Sequence, residues 1–196
     1  QTFHLWIYQP GEKEIMMCTI FFDYRPVYGD VSLANTLTNY IFTTLDKQEV
    51  FLHLLAKNAL ENPAPLSFFR NFIVEKNGEH KDSFDIKLRA MMPLTDAARL
   101  LTLASRNGGE NNTCNRFLAL ADIEPQNAEL YRMAADAYEI LIRIRTKNGF
   151  KKGDSGRYIQ PNEMDKMDRL LLRNAFQPID ELQKMIKVRF QLGGIL

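Results

Sequence analysis

The sequence predicts a mainly α, helical bundle-like domain with one β-hairpin and an N-terminal strand. Most of the chain places apolar residues at the three- and four-residue spacing of amphipathic helices. One stretch in the middle alternates apolar and charged residues, which is typical of a half-buried strand. A third stretch, near the N-terminus, is an unbroken apolar run between turn residues. The length of 196 residues suits one good-sized domain, or one domain and a fragment of another.

The N-terminal part opens with a short apolar segment, FHLWIYQPG, which stops at Pro10. The apolar run of IMMCTIFFDYRPVYGD, residues 15–30, then indicates a strand buried on both faces, although a short helix fits the same run. Such a strand needs neighbouring strands and cover on both sides. We therefore expect the missing sheet to lie upstream, and we interpret the chain as a piece of a longer protein.

Helical periodicity begins after this run. Residues 31–45 predict a helix that Asp30 or Ser32 caps, and residues 47–62 predict a second helix that the sequence NPAP ends. Residues 66–90 predict a hairpin, because FDIKLRAMM alternates apolar and charged residues and Asn77-Gly78 is a strong turn signal.

The remaining elements are helices. Residues 93–109 predict a helix with Thr95 as its cap and Gly108 as its stop, and residues 111–122 predict a short one. Residues 127–149 give about six turns, followed by an exposed glycine- and lysine-rich loop. The helical pattern of residues 162–192 contains Pro178, which predicts either a kink or two helices.

Composition limits the partners. The net charge of +1 gives no general affinity for nucleic acid or for a membrane surface, although a local basic pocket is compatible with it. No apolar run has the length of a membrane span, and the N-terminus lacks the pattern of a signal peptide. The two cysteines favour a reducing compartment, and hence the cytoplasm, over a disulfide framework.

Complete catalytic signatures are missing from the sequence: it has no Gly-x-Ser-x-Gly, no P-loop and no Gly-x-Gly-x-x-Gly. Three polar groups are candidates for a site. The first is Asp23 with Arg25, where an acid at the end of a buried strand could hold Mg²⁺ or simply form an ion pair, and spacing alone favours the ion pair.

The second group lies on the predicted hairpin and the third on the helices. The hairpin group consists of Arg70, Asp85, Lys87 and Arg89. The pattern favours a solvated face with cross-strand pairing over a ligand site by about two to one. Several helical arginines could converge on a cleft as an anion site, or pair with neighbouring acids. These arginines are Arg99, Arg116, Arg143, Arg145 and Arg189.

Several motifs occur in an order and spacing that resemble a known family. They are WIYQP, IFFDYRPVYGD, PLSFFRNFIVEKNGEHKDSFDIK, MMPLTDAARLLTLA, NTCNRFLAL, LIRIRTKNG and YIQPNEMDKMDRLLLRNAFQPIDELQ. Together they resemble the nucleotidyltransferase substrate-binding domain family over nearly the whole chain. The segment FFDYRPVYGD is also similar to the Asp-x-Arg-x-Arg-Pro-x-Gly segment of glutamine synthetase adenylyltransferases, with one arginine fewer before the proline.

The resemblance implies a domain from the C-terminal part of a larger bacterial signal-transduction protein. Its upstream partners in the same chain would be cyclic-nucleotide-binding-like, CBS and nucleotidyltransferase domains, with Mg²⁺ and a nucleoside triphosphate as cofactors of the full-length protein. Residues 1–30 would be the end of the nucleotidyltransferase domain, and residues 31–196 the helical substrate-binding domain.

In that context Asp23 would be a catalytic residue, the third metal-binding carboxylate. Substrate-binding residues would come from a wider set: Arg25, Arg70, Asp85, Lys87, Arg99, Arg143 and Arg145. No Gly-Ser turn with an Asp-x-Asp pair occurs here in a strand context, so we expect the chain to be inactive alone. It would either position an acceptor, a protein or a small polar molecule, or act as an interaction domain that relays the state of the upstream sensors.

Overall fold

Helices and one small sheet make up the computed structural model, which describes residues 2–63 and 72–193. The helices are α1 Thr2–Tyr8, α2 Glu12–Phe21, α3 Ser32–Leu45, α4 Glu49–Ala59, α5 Met92–Ala104, α6 Thr113–Ile123, α7 Ala128–Lys152, α8 Lys166–Asn174 and α9 Phe176–Arg189. A π-helix, Lys87–Met91, leads directly into α5, and short 3₁₀ turns occupy Pro125–Asn127 and Pro161–Glu163. The prediction of a mainly α fold is confirmed.

The core lies among α5, α6, α7 and α9, which pack against one another, while α4 covers another side of α5. Helix α5 is central, since most of its residues are buried. The long α7 buries small residues such as Ala134 in its first half and large ones, Leu141 and Ile144, further along. Helices α1 and α2 join the same apolar core through Ile7, Ile15 and other buried residues.

The predicted N-terminal strand is wrong, because this apolar run forms α2. The helix buries Ile15 and Cys18, three residues apart on one face. Met16 and Ile20 stay 51% and 59% exposed. A short unbroken apolar run has no periodicity that separates a helix from a strand, so the sequence alone could not decide between the two.

The hairpin predicted over residues 66–90 is found only in part. The backbone of Glu75 exchanges hydrogen bonds with Asp82 and Ser83 around the Asn77-Gly78 turn, and residues 64–71 lie outside the described residues. The strand after the turn is only β1, Phe84–Asp85, and it pairs antiparallel with β2, Tyr158–Ile159. The chain then enters the π-helix, so the charged residues that follow do not share a strand face.

Helix ends differ from the prediction at three places. Thr95 is no cap, because α5 begins at Met92 and the Thr95 hydroxyl donates to the carbonyl oxygen of Met91. Helix α7 continues through Gly149 to Lys152 instead of ending there. The C-terminal region does split into two helices, but it splits at Ala175, and Pro178 lies in the first turn of α9, where no helical donor is lost.

Both cysteines are free thiols. No helix among residues 2–63 and 72–193 is long and apolar enough to cross a membrane.

Candidate functional site

A cleft of about 210 Å³ opens between the N-terminal part of the fold and the connection from α5 to α6. One wall consists of residues 22–26 and of α3, and the other consists of the end of α5, residues 107–111 and the start of α6. Its apolar surface comes from Phe22, Ile41, Phe42 and Leu103. Its polar lining includes Arg25, Asn35, Thr38, Asn107 and Asn111.

A buried ion-pair cluster closes one end of the cleft. The carboxylate of Asp23, which lies just after α2, accepts from two arginines that are only 8% and 5% exposed, Arg99 of α5 and Arg116 of α6. The Arg99 Nη2 to Asp23 Oδ2 distance is 2.5 Å, and the Arg116 Nη1 to Asp23 Oδ1 distance is 2.7 Å. Arg99 also donates to Asp96, and Arg116 donates to the backbone carbonyl of Glu110. Through the carboxylate of Asp23, the cluster therefore joins the segment after α2 to α5 and to α6.

The pKa values of the two acids in the cluster, Asp23 and Asp96, are shifted in opposite directions. Burial opposes ionisation of Asp23, but the hydrogen bonds and positive charges of Arg99 and Arg116 outweigh it and lower the pKa of this carboxyl. Burial is stronger at Asp96 and raises its pKa, since Arg99 offsets it only in part. At neutral pH Asp23 is thus held as the charged partner of both arginines.

The cleft contains a hydroxyl without a partner. Thr102 on α5 is 5% exposed, and its Oγ1 is the one buried side-chain oxygen or nitrogen in the described residues that makes no hydrogen bond. Buried polar groups normally have partners, because leaving one unsatisfied costs about 1–3 kcal/mol. The unpartnered hydroxyl therefore marks a place where a polar ligand group would be stabilised.

The opposite wall is fixed by a tyrosine. The hydroxyl of Tyr24 lies 2.5 Å from Thr38 Oγ1, and Thr38 itself donates to the carbonyl of Ala34. Because the Thr38 hydroxyl gives its one proton to Ala34, Tyr24 is the donor in the bond between the two hydroxyls. Burial raises the pKa of the Tyr24 hydroxyl. This bond attaches the segment after α2 to α3.

Close approach of the α5–α6 connection to α3 requires a glycine at position 108. A Cβ atom on Gly108 would lie 2.5 Å from Thr38 Cγ2 and 3.1 Å from the ring of Phe42. Only a residue without a side chain lets the two walls meet there. Gly108 therefore sets the width of the cleft, and does not stop α5, which ends at Ala104.

The described lining of the cleft is an apolar surface with several polar groups, among them the carboxylate of Glu110 and the hydroxyl of Tyr24. Its described lining residues include no histidine, cysteine or lysine. Arg99 and Arg116 are engaged by acids, whereas Arg25 is exposed and makes no ion pair with any residue that the structure describes. An apolar surface with a few polar groups and one available cation is typical of a small-molecule or side-chain site.

A Mg²⁺ ion does not fit the described residues around Asp23. Both of its oxygens accept from guanidinium groups, so a metal ion would have to displace two arginines and lie beside their positive charges. In the described parts of the chain, no group of three or more His, Cys, Asp or Glu residues is arranged to hold a metal. Asp23 follows a helix and not the expected strand, and the third-carboxylate role that the resemblance implies stays a prediction.

The structure distributes the other predicted site residues widely. Arg25 and Arg99 line the cleft. Asp85 is buried and pairs with Arg157, and Lys87 is exposed, so the two do not form a joint ligand face. Arg70 lies outside the described residues.

The α7 arginines are not in the cleft either. Arg143 is exposed, and Arg145 is half-buried and donates to the backbone carbonyl of Ser155. They do not converge with Arg99 on one anion site. Arg189 pairs with Glu124.

Sequence reasoning missed Tyr24, Thr38 and Thr102 as lining residues. Tyr24 and Thr38 are 14 residues apart and meet through tertiary packing, and Thr102 occupies an ordinary interior position of α5. No signal in the sequence distinguishes these residues.

Comparison with known proteins gives one family. The model described as "Putative nucleotidyltransferase substrate binding domain" matches residues 49–190, which is most of the chain. The match includes α5 and α6 and hence one wall of the cleft, while α3 and the segment with Asp23 precede it. Neither the curated proteins nor the solved structures gave a significant match.

Proposed function

Because the chain belongs to the nucleotidyltransferase substrate-binding domain family, we propose that its cleft holds the acceptor of a nucleotidyl transfer. A separate nucleotidyltransferase domain, with its Mg²⁺ and nucleoside triphosphate, performs the chemistry. The chain recognises the acceptor and holds it in position. Holding two reactants in the right geometry accelerates the transfer between them. A cytoplasmic location fits the two free cysteines and belongs to the same proposal.

One observation carries the proposal: the unpartnered Thr102 hydroxyl in a cleft beside the cluster of Asp23, Arg99 and Arg116. The cluster holds the walls together, so its arginines are positioning residues and not direct ligands. The groups available to an acceptor include the Thr102 hydroxyl, the amides of Asn35, Asn107 and Asn111, and Arg25. They suit a polar group carried on a small apolar body.

The volume limits the acceptor to a compact group. About 210 Å³ encloses a small polar molecule or one side chain of a protein, and it is below the range of about 300–1,000 Å³ that is typical of drug-sized ligands. A protein acceptor would therefore insert a single residue. The rest of its surface would lie against the exposed rim around Arg25 and Asn35.

The test is a transfer assay with α-labelled ATP or UTP on a protein that joins this chain to its nucleotidyltransferase domain. Arg25→Ala and Asn35→Ala both change exposed rim residues, so folding is preserved. Lys57→Ala, an exposed cation on α4 that does not line the cleft, is the matched control. We expect the rim variants to raise KM for the acceptor about tenfold while KM for the nucleotide stays constant.

An unchanged acceptor KM in both rim variants would contradict acceptor binding in the cleft. An equal rise in Lys57→Ala would contradict it as well. Transfer by the chain alone would contradict the division of labour between two domains.

A second function, an interaction domain that relays the state of upstream nucleotide-sensing domains, is favoured by one observation. Of the 19 exposed large hydrophobic residues in the described parts of the chain, 11 lie between Leu5 and Val50. They include Ile20 and Leu33, at 59% and 71% exposure. Exposed apolar surface of this kind is typical of protein contacts. In the same assay, Ile20→Ser and Leu33→Ser would abolish regulation without raising KM for the acceptor.

A further inference from the structure

A second depression lies between α8 and residues 72–82. Its volume is about 590 Å³, within the usual range of small-molecule sites, and it shares no lining residue with the cleft. We call it the α8 groove. Its described lining residues are Phe72, Val74, Asp82, Pro161, Asn162, Lys166, Arg169, Leu170 and Arg173.

Three cations of α8 face this groove. Lys166, Arg169 and Arg173 follow one another at spacings of three and four residues, which places them on one face of the helix. None of them forms an ion pair with any residue in the described ranges. Asp165, which caps α8, and Asp168 in its first turn pair with Lys147 instead, and neither lines the groove. The groove therefore has three positive charges against the single carboxylate of Asp82.

The charges cannot be neutralised by side chains outside the described ranges. Those residues are Gln1, 64–71 with the sequence APLSFFRN, and 194–196 with the sequence GIL, and they contain no Asp or Glu. The residues outside the described ranges therefore add no side-chain carboxylate that could offset the positive charge. A cleft lined by charges of one sign raises the local concentration of ligands of the opposite sign, so the surplus of positive charge points to an anionic ligand.

The groove also has an apolar floor. Phe72 stacks on Phe84 at 5.9 Å between ring centroids, and the guanidinium of Arg173 lies 5.7 Å from the centre of the Phe72 ring. Leu170, between the cations on α8, is 50% exposed. An anionic ligand with a flat apolar part would cover Leu170 while its charges meet the cations.

The opposite rim of the groove is formed by Asp82. Its φ of 61° is in the left-handed region, which aspartate adopts in turns more readily than most residues do, and its backbone N–H donates to the carbonyl of Glu75. Its side chain could accept from the amino or ribose hydroxyl groups of a nucleoside.

We propose that the α8 groove is a site for a nucleoside polyphosphate, distinct from the acceptor cleft. Lys166, Arg169 and Arg173 bind the phosphates, with the planar guanidinium groups contacting pairs of phosphate oxygens. Leu170 and the edge of Phe72 contact the base. A nucleotide bound here would act on the domain without entering the acceptor cleft.

Calorimetric titration of the chain with ATP, without added metal and at low salt, tests the proposal. Arg173→Gln removes an exposed guanidinium from the groove, and Arg143→Gln removes an exposed guanidinium from α7 as the matched control. We expect ATP to bind, and Arg173→Gln and Lys166→Gln each to weaken binding about tenfold, the factor for one charge-assisted hydrogen bond. Arg143→Gln should bind ATP as the unchanged chain does.

Two further probes separate the parts of the ligand. Inorganic tripolyphosphate should compete with ATP and bind more weakly, and adenosine should not bind measurably. The proposal is overturned when ATP does not bind or when Arg143→Gln weakens binding as much as Arg173→Gln. It is also overturned when a hexaglutamate peptide displaces ATP at lower concentration than tripolyphosphate does, because the groove would then serve an acidic protein segment. The titration contains no acceptor and no transferase, so its failure leaves the function of the cleft untouched.

Discussion

Replacing Asp23 by asparagine should destabilise the protein far more than its partial exposure implies. The substitution keeps the size of the side chain but removes the charge that accepts from Arg99 and Arg116. Arg99 retains Asp96, at 2.8 Å, whereas Arg116 keeps only the backbone carbonyl of Glu110. Asp23→Asn therefore leaves one guanidinium, 5% exposed, without a countercharge.

The expected cost is about 3 kcal/mol. Removing one partner of a buried ion pair costs about 3–5 kcal/mol, and we take the lower end because the side chain of Asp23 is itself 32% exposed. In a protein of this size that corresponds to a fall in Tm of roughly 6–12 °C. Asp46→Asn is the matched control, since Asp46 pairs with Arg106 at 2.7 Å but is 63% exposed, and its loss should cost less than about 1 kcal/mol.

The effect should also depend on pH. Because the folded state lowers the pKa of Asp23, its stabilisation is present above the ordinary carboxyl pKa of about 4 and is lost as the pH falls below that value. The difference in Tm between the unchanged chain and Asp23→Asn should therefore be constant from pH 7 to 5 and shrink below pH 4. Thermal unfolding followed by circular dichroism measures both quantities. A destabilisation no larger than that of Asp46→Asn would refute the buried cluster.

Two further substitutions test how the fold around α7 is held. At Gly156 a Cβ atom would overlap the carbonyl oxygen of Arg145, whereas at Gly153, which has a similar positive φ, it would meet nothing. Gly156→Ala should therefore lower the free energy of unfolding by about 2 kcal/mol more than Gly153→Ala does, as measured by chemical denaturation. Equal costs would contradict the close approach. Tyr131→Phe removes a buried hydroxyl that donates to Glu124 at 2.6 Å and should cost about 1.5 kcal/mol. No loss of stability on denaturant titration would contradict that bond.

Helices with clear apolar periodicity could be predicted from the sequence, and the others could not. Residues 31–45 match α3 to within one residue, since Asp30 accepts from the backbone of Ser32 at its start. Helix α2 was missed because its residues are apolar on the exposed side too. The predicted strand is longer than β1, because the alternation of apolar and charged residues over residues 84–88 is also compatible with the π-helix that begins at Lys87.

The site was less predictable than the fold, for a physical reason. A cleft arises where distant segments meet, and Tyr24, Thr38 and Thr102 are brought together by tertiary packing that no local pattern encodes. The arginines could be named from the sequence, but their partners could not. Arg116 meets Asp23 across 93 positions of sequence, and their ion pair joins the segment after α2 to α6.

The central claim is that the acceptor binds in the cleft beside Thr102. The direct measurement is methyl-resolved NMR of the chain, titrated with the acceptor that the two-domain transfer assay labels. We predict that the methyl signals of Thr102, Thr38 and Leu103 shift with saturation, while those of Leu170, in the α8 groove, stay in place. Binding that shifts Leu170 and leaves Thr102 unchanged would contradict the account.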